Sequence, residues 1–196
     1  MKIDLHIHTT LSACSQLTLK QLLNNAQAKG LDGICITDHD TMAVADSVQE
    51  GIQENGLCVI VGMEYATTGG DFLLFGPFEH LPLGLSAQEL LAAVDAANGA
   101  AVAAHPCRPG RSTDTTLLEK GLCWLIEGVN GRNAEQDNQA VARWPERYQV
   151  GAVGGSDAHT LAELGQVPTH FTVPIRSRAD LIQALNRGEF SPLICI

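Results

Sequence analysis

His6 and His8 stand two positions apart behind Asp4 in the stretch DLHIHTTLSACS (residues 4–15), at the end of a short apolar run. In a strand, alternate residues share a face, so this spacing aims two imidazoles the same way. A His-x-His pair alone says little, but equivalent polar groups follow five further runs. TDHD supplies Asp38, His39 and Asp40, and GMEY supplies Glu64. AAHPCR supplies His105 and Arg108, EGVNGR supplies Glu127, Asn130 and Arg132, and GGSDAH supplies Asp157 and His159. Imidazole and carboxylate together suit Zn²⁺, Mn²⁺ or Fe²⁺, whereas Mg²⁺ or Ca²⁺ would favour oxygen throughout. The metal-ligand inventory is His6, His8, His39, Glu64, His105, Asp157 and His159. That set exceeds one tetrahedral ion and suits two or three ions sharing a carboxylate, which can activate a water and clamp an in-line displacement. His80, in a loop, and His170, entering the last strand, read as structural.

Two or three dications outweigh Glu64 and Asp157, which makes the pocket a positive spot on an acidic protein. Arg108 and Arg111, in HPCRPGRS just past His105, add guanidinium groups suited to bidentate phosphate contacts. A small anionic substrate is expected, most simply a phosphate ester. A solvated surface loop is the competing reading for the two arginines.

The elements that must position these groups recur as strand followed by helix. Strand-like runs occupy 2–7, 33–37, 57–63, 100–104, 124–129, 149–154 and 170–174, with a hairpin at 65–76 turning on Gly69-Gly70. Helices are expected from Thr18 to Gly30, from Thr41 to Gly56 with Val44, Val48 and Ile52 inward, and from Ser86 to Asn98 behind a Ser86/Glu89 capping box. Two more should run from Ala134 to Trp144 and from Ser177 to Gly188. The strands are continuous apolar runs, as strands covered on both faces should be. The expected fold is α/β, a closed or nearly closed seven-stranded barrel of parallel strands. Active sites of such folds collect at the carboxyl ends of the strands, where these polar residues fall.

The length of 196 residues, with 45% hydrophobic and 17% charged residues, suits one domain over residues 1–196. No apolar run reaches the ~18 residues of a membrane span, and no signal-peptide pattern is visible, so the expected location is the cytoplasm and no membrane partner is expected. A formal net charge of −10 argues against an extended nucleic-acid footprint. Oligomeric state is not readable. The six cysteines, Cys14, Cys35, Cys58, Cys107, Cys123 and Cys195, form no CxxC pair and no disulfide-like framework. Cys35, Cys58 and Cys123 belong to apolar runs, where a reduced thiol acts as a small hydrophobe.

The motifs DLHIHTTLS, ITDHDT, GMEY, AHP, EGVN and GSDAHT, in this order, resemble the polymerase and histidinol phosphatase (PHP) family, and the closing RADLIQALNRGEFSPLI is similar to the family's C-terminal helix. The resemblance implies a distorted seven-stranded (β/α) barrel with a trinuclear metal site and phosphoesterase activity. It would give His6, His8, Glu64 and Asp157 to a first metal, a bridging Glu64 with His105 to a second, and His39 with His159 to a third. Asp38 would orient that shell or add to it. Two departures stand out. Ala13 and Cys14 occupy the place where relatives keep a His or Asp for the third metal. Where many relatives add a His after strand five for the second metal, this chain has Glu127, Asn130 and Asn133. Cys14 is either a thiolate ligand in that place or a small loop residue.

The expected reaction is hydrolysis of a small phosphomonoester by a metal-bridging hydroxide. Arg108 or Arg111 would neutralise phosphoryl oxygens, and Asp157 or His159 would protonate the leaving alkoxide unless a water does. An amidohydrolase-type deacetylase or deaminase is a second reading. Such barrels often need a strand-end lysine, and Lys2, Lys20, Lys29 and Lys120 are not so placed. A non-catalytic metal-binding regulatory module is a third.

Overall fold

The computed structural model describes residues 1–192, so Cys195 and the end of the C-terminal run lie outside the described residues. In chain order the elements are β1 (Lys2–Ile7), α1 (Leu19–Asn25), β2 (Gly33–Ile36), β3 (Gly51–Ile52), β4 (Cys58–Val61), β5 (Met63–Thr67) and β6 (Gly70–Phe75). Then come α2 (Ala87–Ala96), β7 (Ala100–Ala103), α3 (Thr116–Glu119), β8 (Leu125–Asn130), α4 (Glu135–Val141) and α5 (Trp144–Tyr148). The chain continues through β9 (Gly151–Gly155), β10 (Thr169–Phe171), α6 (Arg178–Arg187) and β11 (Phe190–Pro192).

Among the described residues, strand pairing gives two sheets where one closed barrel was expected. One sheet has the order β11-β10-β1-β2-β4-β3 and the other β5-β6-β7-β8-β9. The pairs β1–β2, β2–β4, β7–β8 and β8–β9 are parallel. The hairpin β5–β6 brings antiparallel pairs into the second sheet, and β10 runs antiparallel to β1, where a parallel strand was expected. The chain passes between sheets at Gly62, one residue separating β4 from β5. A side chain there would place its Cβ 2.5 Å from the Leu74 carbonyl oxygen. Two isolated parallel bridges, Ile7 with Ala158 and His39 with Glu64, join the sheets. Both fall beside residues singled out for chemistry.

One buried cluster draws on both sheets and α6, with Ile3, Leu5, Cys35, Ile60, Leu73, Val153 and Leu181. The other lies under the helices and takes in Ile7, Leu22, Ile36, Leu90, Leu117 and Val141. β1 contributes Ile3 and Leu5 to the first cluster and Ile7 to the second. The switch follows from a register shift against β2, where Asp4 pairs with Ile34 but Ile7 pairs with Ile36. A bulge of this kind reverses the alternation of side chains. It turns His6 and His8 away from the face of Asp4.

Helix signals mostly hold. Thr18 and Ser86 are N-caps with reciprocal capping boxes, Ser177 caps α6, and Gly188 closes it in the left-handed region. The helix expected to reach Gly30 ends at Asn25, and Gly30 closes the short 3-10 turn at Gln27–Lys29 that follows. The helix expected at 41–56 is instead a 3-10 turn at Ala43–Asp46 followed by β3, which pairs with β4. Gly51 at φ 102° breaks any helix there, and Ile52, expected inward, is 50% exposed. The helix expected at 134–144 ends at Val141, and α5 restarts with Pro145 in its first turn.

Arg178 opens α6 and ties it to the first sheet. Its Nε lies 3.1 Å from both Glu50 carboxylate oxygens, and its Nη1 donates to the Gly76 carbonyl and stands 3.2 Å from Glu79. Glu50 in turn accepts from the Val61 N–H at 2.6 Å. Arg178→Ala strands a partly buried carboxylate and should lower unfolding free energy by about 1–3 kcal/mol. Urea denaturation monitored by circular dichroism is the check, with native metal content unchanged.

Candidate metal centre

Hydrogen-bond partners fix the histidine tautomers. His6 Nδ1 lies 2.8 Å from Glu127 Oε1, and an ionised carboxylate only accepts, so His6 carries its proton on Nδ1. Ser12 Oγ gives its own proton to Asp38 Oδ1 at 2.6 Å. It therefore accepts from His8 Nδ1 at 3.2 Å. With an ion bound, both Nε2 atoms would present lone pairs to it, and they stand 2.9 Å apart. Glu64 Oε2 is 3.4 and 3.2 Å from them, and Asp157 Oδ1 is 3.6 and 3.4 Å from them. Four electron-rich atoms converge on one point. Donors tetrahedrally arranged about 2.0–2.1 Å from a zinc ion stand about 3.3 Å from one another.

Glu64 Oε2 supplies the fit test. It is buried and has no hydrogen-bond partner, although His39 Nδ1 stands 2.9 Å away and the His6 and His8 nitrogens crowd it. A buried carboxylate oxygen left unsatisfied is costly, and a shared cation removes the cost. Buried or half-buried groups could hold ions in three sets, two of which share His8: His6, His8 and Asp157; Glu64, Asp71 and His105; His8, His39 and His159. The donor chemistry fits divalent transition metals.

Charges in the centre shift one another. Burial alone would lower the His6 imidazole, but Glu127, Asp157 and Glu64 hold it well above the ordinary range. Burial would raise the Glu64 carboxyl, and the neighbouring imidazoles, His6 foremost, keep it well below the usual range. Asp157 is likewise held low against burial by His6 and His8. Burial and the adjacent His8 push His159 down to about 4. His159 Nδ1 donates to the Asp157 carbonyl oxygen at 2.8 Å, leaving an Nε2 lone pair that faces Cys14 Sγ at 3.1 Å.

A second tier of buried groups holds these. Glu127 accepts from His6 Nδ1 on one oxygen, and from the His105 N–H at 2.7 Å and Asn130 Nδ2 at 2.8 Å on the other. Asp38 accepts from the Thr9 N–H, Thr9 Oγ1 and Ser12 Oγ, so it orients the β1 loop, and it belongs to none of the groups that could hold an ion. Asp4 faces away and accepts from the backbone N–H groups of Ser156 and Gly165, both at 3.0 Å. His105 and Asp157 adopt φ of 30° and 53°, left-handed values that cost a non-glycine residue energy. A further register shift between Glu127 and Val129 re-aims the end of β8.

The arginines are already engaged. Arg108 donates to Asp157 Oδ2, Asn130 Oδ1 and Asn133 Oδ1 at 2.8, 2.8 and 3.0 Å, and its Nη1 makes no hydrogen bond among the described residues. Arg111, half exposed, donates from Nη1 to Asp71 Oδ2 at 2.7 Å. The expected positive excess is therefore smaller than Glu64 and Asp157 alone suggested, because Asp71 and Glu127 also sit at the centre. Asp71 was missed by sequence reasoning. Its signal was a carboxylate heading the apolar run DFLLFG, and it is buried beside His105. His80 and His170 are exposed and outside the centre.

A bulged α/β frame carrying a buried histidine–carboxylate cluster defines a metal-binding class of protein. The sequence matches the PHP domain over residues 4–154 and the PHP-associated region over 135–190, and the chain belongs to the PHP family. An uncharacterised protein of Methanocaldococcus jannaschii is 32% identical over 119 residues, 56% of this chain and 70% of that one. Crystallised PsfC from Pseudomonas syringae superposes with a TM-score of 0.79 at 23% identity, covering 98% of this chain and 91% of its own. A two-domain protein of Bacteroides vulgatus containing a predicted PHP-like metal-dependent phosphoesterase gives 0.74 at 18%, covering 99% and 64%. Endonuclease Q from Pyrococcus furiosus gives 0.71 at 18% identity, covering 97% of this chain and 57% of that one. An endonuclease Q has also been crystallised on a 27-mer duplex with an abasic lesion at its active site (TM-score 0.68, 17% identity, 95% of this chain and 56% of that one). That overturns the inference from net charge to an absent nucleic-acid footprint. Charge summed over a whole chain does not describe the one face that carries the site. Among the described residues, no helix is long and apolar enough to cross a membrane.

Gly155 makes the Glu127–His6 contact possible. A methyl group there would collide with the Glu127 carboxylate and stand 2.7 Å from His6 Cβ. Gly155→Ala should cut bound metal by at least half while every metal-ligating side chain is retained. Elemental analysis beside a thermal melt checks this, and full metal content would show that Glu127 does not set His6.

Proposed function

We propose that this chain hydrolyses a small phosphomonoester using two to three divalent transition-metal ions, zinc, manganese or iron. The observation that carries this reading is the orphaned, buried Glu64 Oε2 among imidazole nitrogens. His6, His8 and Asp157 would hold one ion, Glu64, Asp71 and His105 a second, and His39 with His159 a third, Glu64 being shared. Ions so held would lower the pKa of a bound water and neutralise charge on a phosphoryl group.

The chain's own residues orient and bind. Glu127 and Asp38 lock the imidazole tautomers through His6 Nδ1 and Ser12. Arg108 keeps Asp157 in place with Nη2 and offers its free Nη1 edge to a phosphoryl oxygen. Arg111 offers its unpaired N–H groups from the half-exposed side. Asp157 and His159 are assigned to the ions and not to proton delivery. The Asp157 oxygens are committed, and the His159 Nδ1 proton is held by a carbonyl. The leaving alkoxide then takes its proton from water. A second reading, hydrolysis at a nucleic-acid phosphate, is favoured by the fold shared with endonuclease Q.

Metal-reconstituted protein should carry at least two equivalents by elemental analysis, and chelation should abolish its activity on a panel of phosphate esters. The panel includes a 5′-phosphorylated oligonucleotide, and turnover of that member alone would select the second reading. One equivalent or none would sink the cluster. His6→Ala or Asp157→Ala should remove most activity in a folded protein. Arg111→Ala should lower kcat/KM about tenfold or more, as the loss of a charge-assisted hydrogen bond of roughly 1.5–3 kcal/mol requires. Arg108→Ala should do the same and also reduce bound metal, because Asp157 loses its partner. Unchanged kinetics in both variants would return the loop to solvent.

A further inference from the structure

Two asparagine oxygens after β8 are aimed by partners other than the group they bind. Asn130, buried at the end of β8, donates from Nδ2 to Glu127 Oε2 at 2.8 Å. An ionised carboxylate only accepts, so Asn130 Oδ1 must face the other way. Asn138 on α4 donates from Nδ2 to the Asn130 carbonyl at 3.0 Å. Its Oδ1 therefore turns to the Asn130 N–H at 3.0 Å and to Asn133 Nδ2 at 3.1 Å. Asn133 spends its amide nitrogen there, and its Oδ1 is left free to accept. Both oxygens meet one guanidinium, Asn130 Oδ1 accepting from Arg108 Nη2 at 2.8 Å and Asn133 Oδ1 from Nε at 3.0 Å. A guanidinium has five N–H groups. Asn130, Asn133 and Asp157 Oδ2 take the three on Nε and Nη2, which leaves the two on Nη1. Arg111, by contrast, has a single side-chain partner among the described residues, the Asp71 carboxylate.

Resting on the phosphoester reading above, we infer that Asn130, Asn133 and Asn138 are positioning residues for the substrate, a neutral amide cradle that fixes which edge of Arg108 meets a phosphoryl group without cancelling its charge. An arginine that closes on an anion gives up side-chain freedom, and a guanidinium plane already fixed by three acceptors has less to lose. Carboxylates in place of Asn130 and Asn133 would hold that plane at least as firmly, but each would set a negative charge beside the incoming phosphate. The one charged acceptor, Asp157, is the one whose other oxygen faces His6 and His8. Amides therefore supply the direction of the clamp, and the charge of Arg108 stays with the substrate.

Calorimetric titration of inorganic phosphate into the metal-reconstituted full chain tests this at Asn133, which is half-buried and so open to a charged replacement. Asn133→Ala removes one acceptor and should weaken phosphate binding about threefold, the scale of one hydrogen bond. Asn133→Asp keeps the acceptor and adds a charge, and should weaken it about tenfold, below Asn133→Ala, with bound metal unchanged and a thermal melt no lower than that of Asn133→Ala. A residue that only shaped the loop would give the reverse order, because Asp restores the bond that Ala loses. Phosphate binding by Asn133→Asp as tight as by Asn133→Ala, or by Asn133→Ala as tight as by the wild type, would overturn the cradle alone. The Ala arm decides by itself if the Asp variant does not fold. Absence of phosphate binding by the metal-loaded wild-type chain would overturn the phosphoester reading with it.

Discussion

The Glu127 carboxylate is the constraint on which the centre depends. Buried at the end of β8, it accepts from the His6 ring on β1, from the His105 backbone after β7, and from Asn130 beside it. Three strand ends from two sheets are therefore tied to one pair of oxygens. Because an ionised carboxylate has no proton to give, every partner must donate, and the His6 lone pair has one direction left. A residue that belongs to none of the groups able to hold an ion decides where the first donor of the centre points. Gly155 is the complement, since only a missing side chain leaves room for that carboxylate under His6.

The fold stores its irregularity in the same place. The two sheets are bridged at Ile7–Ala158 and His39–Glu64, bulges interrupt β1 and β8, and His105 and Asp157 are held at left-handed φ. The bulges and the left-handed φ values cost stability, and each lies at or beside a residue that could hold an ion or beside Glu127, which orients one. The hydrophobic clusters on both faces of the strands supply the compensation, with Ile3, Leu5, Ile60 and Val153 packed between the sheets and helices over the outside. Regular strands feed an irregular rim.

Much of this was legible before any coordinates. The polar residues at strand ends were readable because buried parallel strands leave continuous apolar runs that stop where the site begins. Five of the histidines named that way do meet in space, with Glu64 and Asp157 between them. Caps at Thr18, Ser86 and Ser177 were readable because capping is local. The stretch 41–56 was not, since Val44, Val48 and Ile52 keep a helical spacing that the pairing of β3 with β4 overrides. The partition into two sheets was not legible either, because it depends on where β6 inserts, and antiparallel entry leaves no mark in an apolar run.

The sequence by itself determined the chemistry available: which donors exist, that they crowd strand ends, and that imidazole and carboxylate favour transition metals. It could not decide which atoms face one another. Asp71 was hidden because a single carboxylate in an apolar run shows its purpose only when β6 lies beside β7 and His105. Arg108 and Arg111 read alike in the chain, yet one is locked to Asp157 and the other to Asp71. Cys14 and His159 are 145 residues apart and meet only because the β1 loop is pinned to the carbonyl of His159. Residue type is a property of the chain. Tautomer, partner and direction are set by contacts between distant segments, and those exist only once the sheets have closed around the site.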